Sequence, residues 1–200
     1  MQNKDKNAAE KILCPSVFIC KNPKETPTET LNYIFNFLSD NEKKRVLQKR
    51  TKKSFSSAVF GIILAKHATK SLYNLSFANQ SFSYTKKGKP FFENQNLYFS
   101  ISHSGDYVAC TTAKKPVGID IQKIHPFSER LAKRICNSLE YESISKSENK
   151  SSNLTKLWSQ KEAAAKQTGE GIFASDFKNC LNGKTCFSKK ICDYWISICI

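Results

Sequence analysis

The chain has 200 residues and a mass of 22.7 kDa, room for one domain of ordinary size or two small docked lobes. Apolar residues make up 40% and charged ones 24%, which excludes a collagenous or wholly disordered chain. With 32 Lys and Arg against 17 Asp and Glu, the formal net charge is +15. Anionic partners are therefore expected: nucleic acid, phosphorylated small molecules or an acidic protein surface.

In chain order, residues 1–15 read as a loose polar tail without the features of a secretory signal. The longest apolar run, Ala58 to Ala65, falls far short of the roughly 20 residues of a membrane helix. No membrane association and a cytoplasmic location are the resulting expectations. Ser16 to Cys20 predicts a strand and Lys21 to Thr30, with two prolines, a loop. Leu31 to Leu38 has helical spacing, a basic stretch follows from Lys43 to Lys53, and Phe55 to Leu75 predicts a long helix. Asn79 to Tyr84 predicts a strand and Lys86 to Pro90 a turn. Leu97 to Ser102 and Tyr107 to Ala113 flank His103 to Asp106 as a hairpin would. Val117 to Ile121 predicts a strand, Ser128 to Ser138 a helix, and Ser143 to Asn153 a loop. Leu154 to Thr168 predicts a helix ended by Gly169, and Thr185 to Ile200 one or two strands.

The eight cysteines, from Cys14 to Cys199, include no C-x-x-C pair, and no histidine lies at a ligand spacing. The expectation is reduced thiols packed as small apolar groups, without a structural zinc.

Three segments carry chemistry. In Gly118-Ile119-Asp120-Ile121-Gln122 the period of two sends the isoleucines inwards and sets Asp120 and Gln122 on one face, about 7 Å apart. Two such oxygen-bearing side chains suit a hard cation; an ordinary amphipathic strand end is the plain alternative. Trp158, Glu162 and Lys166 share one helix face at i, i+4 and i+8. The tryptophan implies that this face is partly covered, and three alanines after Glu162 allow another element to approach closely. Glu162 then reads as a metal ligand or base and Lys166 as a phosphate clamp, against the alternative of a surface ion pair. Ser102-His103-Ser104-Gly105 reads as a phosphate-binding turn with a charged imidazole, as a Ser–His pair lacking a G-x-S-x-G elbow, or as a plain turn. Lys89, and Lys43, Lys44 and Arg45, are by default solvated charges.

In order, GKP at Gly88 to Pro90, YFSISHSGDYVACTTAKKPVGIDIQ, PFSERLAKRICNSLEYESI and KLWSQKEAAAKQTGEGI resemble the 4′-phosphopantetheinyl transferases of the Sfp type. The resemblance covers roughly residues 88–172 well and 16–77 more loosely. It implies an α+β pseudo-dimer of two similar lobes, 16–115 and 116–200, that binds coenzyme A in the cleft between them as a monomer. The implied reaction moves the phosphopantetheine arm of coenzyme A to a serine of an apo acyl or peptidyl carrier protein and releases 3′,5′-ADP. By resemblance Asp120 and Glu162 hold Mg²⁺, with Gln122 at a third position, and Glu162 helps deprotonate the serine. Lys166 neutralises phosphate charge with Lys161 assisting, while Lys43, Lys89, Pro90, Ser102 and His103 grip the nucleotide.

Two departures stand out. Many relatives carry an acid where this chain has Gln122, and an arginine often found early in the long N-terminal helix is not evident around Ser56 and Ser57. The +15 charge would favour an acidic carrier. The rival readings are a basic nucleic-acid-binding module, for which no recognition motif is found, and a catalytically degenerate coenzyme A binder, which only Gln122 favours.

Overall fold

The computed structural model describes residues 14–21, 23–77, 80–93, 96–171 and 176–200, and its fold is α+β. The N-terminal part runs β1 (Val17–Lys21), α1 (Thr28–Phe35), α2 (Asp40–Leu47), α3 (Lys52–Tyr73), β2 (Phe82–Tyr84), β3 (Pro90–Phe92), β4 (Tyr98–Ser104) and β5 (Tyr107–Ala113). The rest runs β6 (Gly118–Lys123), α4 (Glu129–Ile135), α5 (Ser138–Ser145), α6 (Lys150–Thr168), β7 (Cys186–Ile191) and β8 (Tyr194–Cys199). Among the described residues three antiparallel sheets result, in the orders β1-β5-β4, β2-β3 and β6-β8-β7. Helix α3 packs on β4 and β5, and α6 packs on β6 and β8. Among the described residues no helix is long and apolar enough to cross a membrane.

Local chemistry sets the helix starts. Ser39 and Glu42 form a capping box at α2, and Thr51 and Ser54 another at α3. The carboxylate of Glu42 also meets the Lys66 ammonium at 2.9 Å, both side chains buried, so that α2 is fastened to α3 by a desolvated ion pair. Under α3 the rings of Phe82, Phe92 and Phe99 pack edge-to-face and tilted, with centroids 4.4 to 5.0 Å apart, and fill the core with Val59 and Ile62. In the other part Ile119, Ile121, Ile196 and Ile198 form the core, as the period of two predicts.

Several boundaries differ from expectation. α1 begins inside the predicted loop, the basic stretch is mostly the capped helix α2, and α5 and α6 consume both ends of the Ser143 to Asn153 loop. β4 continues through His103 and Ser104, so the hairpin turn is only Gly105-Asp106. Gly105 has φ +56°, and a Cβ there would run into the Tyr194 hydroxyl. Most of the predicted tail, residues 1–13, and Asn79 lie outside the described residues.

The cysteines need a correction. Cys186 and Cys199 face each other in the β7–β8 register, with Cα atoms 4.3 Å apart, and are joined as a disulfide. Their separation of 13 residues carries no motif; only the hairpin register brings the sulfurs together. The other six remain thiols.

Gly118 decides how closely α6 approaches the sheet. A Cβ at that position would lie 2.5 Å from the Gln167 nitrogen and would overlap the carbonyl oxygen of Ala163. Backbone cannot yield as a side-chain tip can. Gly118→Ala should therefore destabilise the fold by at least the roughly 1–3 kcal/mol typical of overpacking, measured as a lower midpoint in denaturant unfolding.

Candidate active site

Asp120, central in β6, is 1% exposed. Its Oδ1 accepts hydrogen bonds from the Lys166 ammonium at 2.6 Å and the Ser102 hydroxyl at 2.7 Å. Its Oδ2 accepts from the Gln122 side-chain amide at 2.9 Å. Lys166 also donates to Ser102 at 2.9 Å, which closes a triangle of β4, β6 and α6 side chains. One turn earlier on α6, Glu162 is close enough for the Asp120 charge to act on it. Glu162 and Lys166 line a cleft of about 280 Å³ whose other wall is built from Lys87, Gly88, Lys89, Pro90 and β4 residues Phe99 to Ile101. The structure thus brings together Asp120, Gln122, Glu162, Lys166, Lys89, Pro90 and Ser102, which the sequence scatters over eighty residues.

Two family models match the chain: 4′-phosphopantetheinyl transferase, N-terminal, over residues 24–115, and the 4′-phosphopantetheinyl transferase superfamily over residues 116–190. The chain belongs to the 4′-phosphopantetheinyl transferase family. Its relatives include the 4′-phosphopantetheinyl transferase gsp of Aneurinibacillus migulanus, 31% identical over 74% of this chain and 65% of the relative. Sfp of Bacillus subtilis strain 168 is 30% identical over 68% of this chain and 62% of its own. A further 4′-phosphopantetheinyl transferase of Bacillus subtilis is 34% identical over 57% and 52%. The matched stretch spans 52% to 65% of the length of these relatives.

Three residues assigned to the site through the family resemblance have protein partners of their own in the structure. Lys161 follows Lys166's helix but not its face: it is fully buried and donates to the Ile135 carbonyl at 2.8 Å, the Glu140 carboxylate at 2.7 Å and the Lys178 carbonyl. All three of its protons are engaged in tying α6 to the end of α4, to α5 and to the turn at Phe177–Asn179, so none faces the cleft. Lys43 lies over the Phe35 ring at 5.8 Å and does not line the cleft. Arg45, two residues on and about 200° round α2, stacks on Tyr84 at 4.8 Å and reaches the Gly88 turn. The Ser102 hydroxyl is spent on protein partners: it accepts from Lys166 and from the Ile121 N–H at 3.2 Å, and donates to Asp120.

Electrostatics refine the remaining roles. Desolvation, then Lys166, Lys49 and Lys53, hold His103 below its usual pKa, against a smaller opposing pull from Asp120. That direction runs against the charged imidazole of a phosphate-binding turn. Lys49 and Lys53 were missed because nothing in their spacing points at β4. Lys89 donates to the Gln167 carbonyl at 2.6 Å, in the last turn of α6 where a cation suits the helix dipole. Burial and then Lys184 depress its pKa.

Burial and then the Asp120 charge push Glu162 up to about 7, with Lys166 and Arg134 pulling back. The folded state therefore holds the Glu162 proton more tightly than the unfolded chain, and its stability falls as pH rises from about 4.5 to about 7. Glu162→Gln, which cannot ionise, should be more stable than the wild-type chain above pH 7. That difference should shrink to nothing below about pH 4.5, as pH-dependent unfolding will test.

Proposed function

We propose that this chain transfers the 4′-phosphopantetheine arm of coenzyme A to a serine of an apo acyl or peptidyl carrier protein. One observation carries the reading: Glu162 and Lys166 line a single cleft walled by the Gly88-Lys89-Pro90 turn, and Lys166 there bonds the buried Asp120 carboxylate behind it. The carrier serine oxygen forms a bond to the β-phosphorus of coenzyme A, and the bond from that phosphorus to 3′,5′-ADP breaks. Positioning and charge neutralisation dominate such a transfer. Glu162, pushed up to about 7 by burial and the Asp120 charge before any cation binds, is the base placed to take the serine proton, and bound Mg²⁺ would lower that value. Lys166, pivoting from Asp120, can meet charge that grows on the phosphoryl oxygens.

Asp120 and Glu162 fit Mg²⁺ as two carboxylates near enough for the Asp120 charge to act on Glu162, so that a divalent cation would add to the compensation that Lys166 supplies. No third His, Cys, Asp or Glu joins them among the described residues, and Mg²⁺ commonly takes one or two carboxylates plus substrate phosphates. When bound, it would screen the diphosphate. Gln122 would then tune the site by holding the outer oxygen of Asp120.

Each half offers a three-stranded antiparallel sheet with one long helix, and the two matched models meet between residues 115 and 116. That supports two similar lobes, 16–115 and 116–200, in a pseudo-dimer. Both cleft walls then come from one chain, so a monomer suffices. The net charge of +15 favours an acidic carrier and an encounter rate that falls with salt.

Incubation with an apo carrier protein, coenzyme A and Mg²⁺ should add the mass of phosphopantetheine to the intact carrier. Glu162→Ala should abolish the gain; an unmodified carrier with the wild-type chain, across acyl and peptidyl carriers, overturns the reading. Gln122→Glu should lower the Mg²⁺ concentration that gives half-maximal rate, since it adds a charge beside Asp120. Unchanged metal dependence would remove Gln122 from the metal's surroundings.

A further inference from the structure

β4 and β6 are edge strands of different sheets, yet they run side by side at the cleft. An edge strand leaves every second N–H without a strand partner, and on β6 these positions are buried at Ile119 and Ile121. Their acceptors are side chains. Ile119 N–H donates to the Ser100 hydroxyl at 3.1 Å, Ile121 N–H to Ser102 at 3.2 Å, and Lys123 N–H to Ser104 at 3.1 Å. Alternate serines of β4 meet alternate amides of β6 at a constant offset, which fixes a parallel alignment and a single register.

Asp120 lies between the first two rungs. Ser102 has one proton and two lone pairs, and both Ile121 N–H and Lys166 can only donate to it. Its own proton must therefore go to Asp120, so the middle rung also aims the carboxylate. A slip of two residues would carry Asp120 about 7 Å along the seam, away from Lys166.

We infer that the Ser100, Ser102 and Ser104 hydroxyls act as a positioning ladder that locks β6 against β4 in the register that sets Asp120 beside Lys166. Resting on the transferase reading, the ladder governs the rate of transfer and not the grip on coenzyme A. Ser104 offers the cleaner probe, since it neither lines the cleft nor touches Asp120 and is only half-buried.

The test pairs amide hydrogen exchange on the full chain without substrate with steady-state kinetics on coenzyme A, Mg²⁺ and an apo carrier. Removing the Ser104 hydroxyl takes the acceptor from the half-buried Lys123 N–H and loosens the neighbouring rung, so Ser104→Ala should speed exchange at Lys123 and, through that rung, at Ile121 by about tenfold and lower kcat similarly. KM for coenzyme A should stay unchanged. Ser100→Ala with Ser104→Ala should extend the effect to Ile119, while Ser104→Thr, which keeps the hydroxyl, should restore both measurements. Unaltered exchange in the double variant, or a raised KM with normal kcat, overturns the inference. Because exchange is read without substrate, a wild-type chain that modifies no carrier would overturn the transferase reading while the amides still judge the ladder.

Discussion

A carboxylate that is almost wholly cut off from water dictates the construction of the cleft. Burying an ionised aspartate is affordable only when its oxygens are fully engaged, and removing a partner leaves the charge uncompensated. Asp120 meets that demand with Lys166 and Ser102 on one oxygen and Gln122 on the other, drawn from α6, β4 and its own strand. Three elements are thereby committed to one point. The commitment also limits what can happen there: a phosphate that draws Lys166 towards itself removes the chief compensation of Asp120, and a second cation has to supply it.

The same demand explains why the backbone is so close-fitted around β6. Gly118 lets α6 descend until the Ala163 carbonyl occupies the space of a Cβ, which puts Glu162 and Lys166 on the rim of the strand that carries Asp120. Buried hydroxyls reinforce this contact, with Ser159 bonded to Ser197 at 2.6 Å and Ser197 to Ser188 at 2.9 Å across α6, β8 and β7. Ser197 stands directly opposite Asp120 in the β6–β8 register. Asp120, Glu162 and Lys166 therefore stand on a small, polar-pinned platform. Apolar packing, concentrated around Phe82, Phe92, Phe99 and the isoleucines of β6 and β8, lies to either side.

The residues most legible in the sequence were those whose period is local. Alternation in G-I-D-I-Q assigned the two isoleucines to the core and Asp120 to the other face, and the spacing of Trp158, Glu162 and Lys166 gave one helix face. Long-range pairings were invisible to it. The Cys186–Cys199 disulfide depends on hairpin register, and the Glu42–Lys66 ion pair depends on how α2 crosses α3. The serines of β4 look like ordinary polar positions of a half-exposed strand until β6 is laid beside them. Helix starts moved for a related reason: caps such as Thr51 with Ser54 set them, and an apolar pattern registers only the residues that face the core.

Lys161 shows how one helix can place neighbouring residues in unrelated roles. Successive residues turn by about 100°, so Glu162 and Lys166 share the cleft face while Ala163 and Ala164 press on the sheet. Lys161 falls on the third side, where the end of α4, α5 and the Phe177–Asn179 turn cover it. A lysine so enclosed needs three acceptors, and it finds two carbonyls and the Glu140 carboxylate. That carboxylate also accepts from the Asn137 N–H at the start of α5, which sets where that helix begins. The two lysines of K-E-A-x-x-K thus divide the work of one helix. Lys166 compensates the buried Asp120 charge, and Lys161 ties the helix to α4, α5 and the Phe177–Asn179 turn.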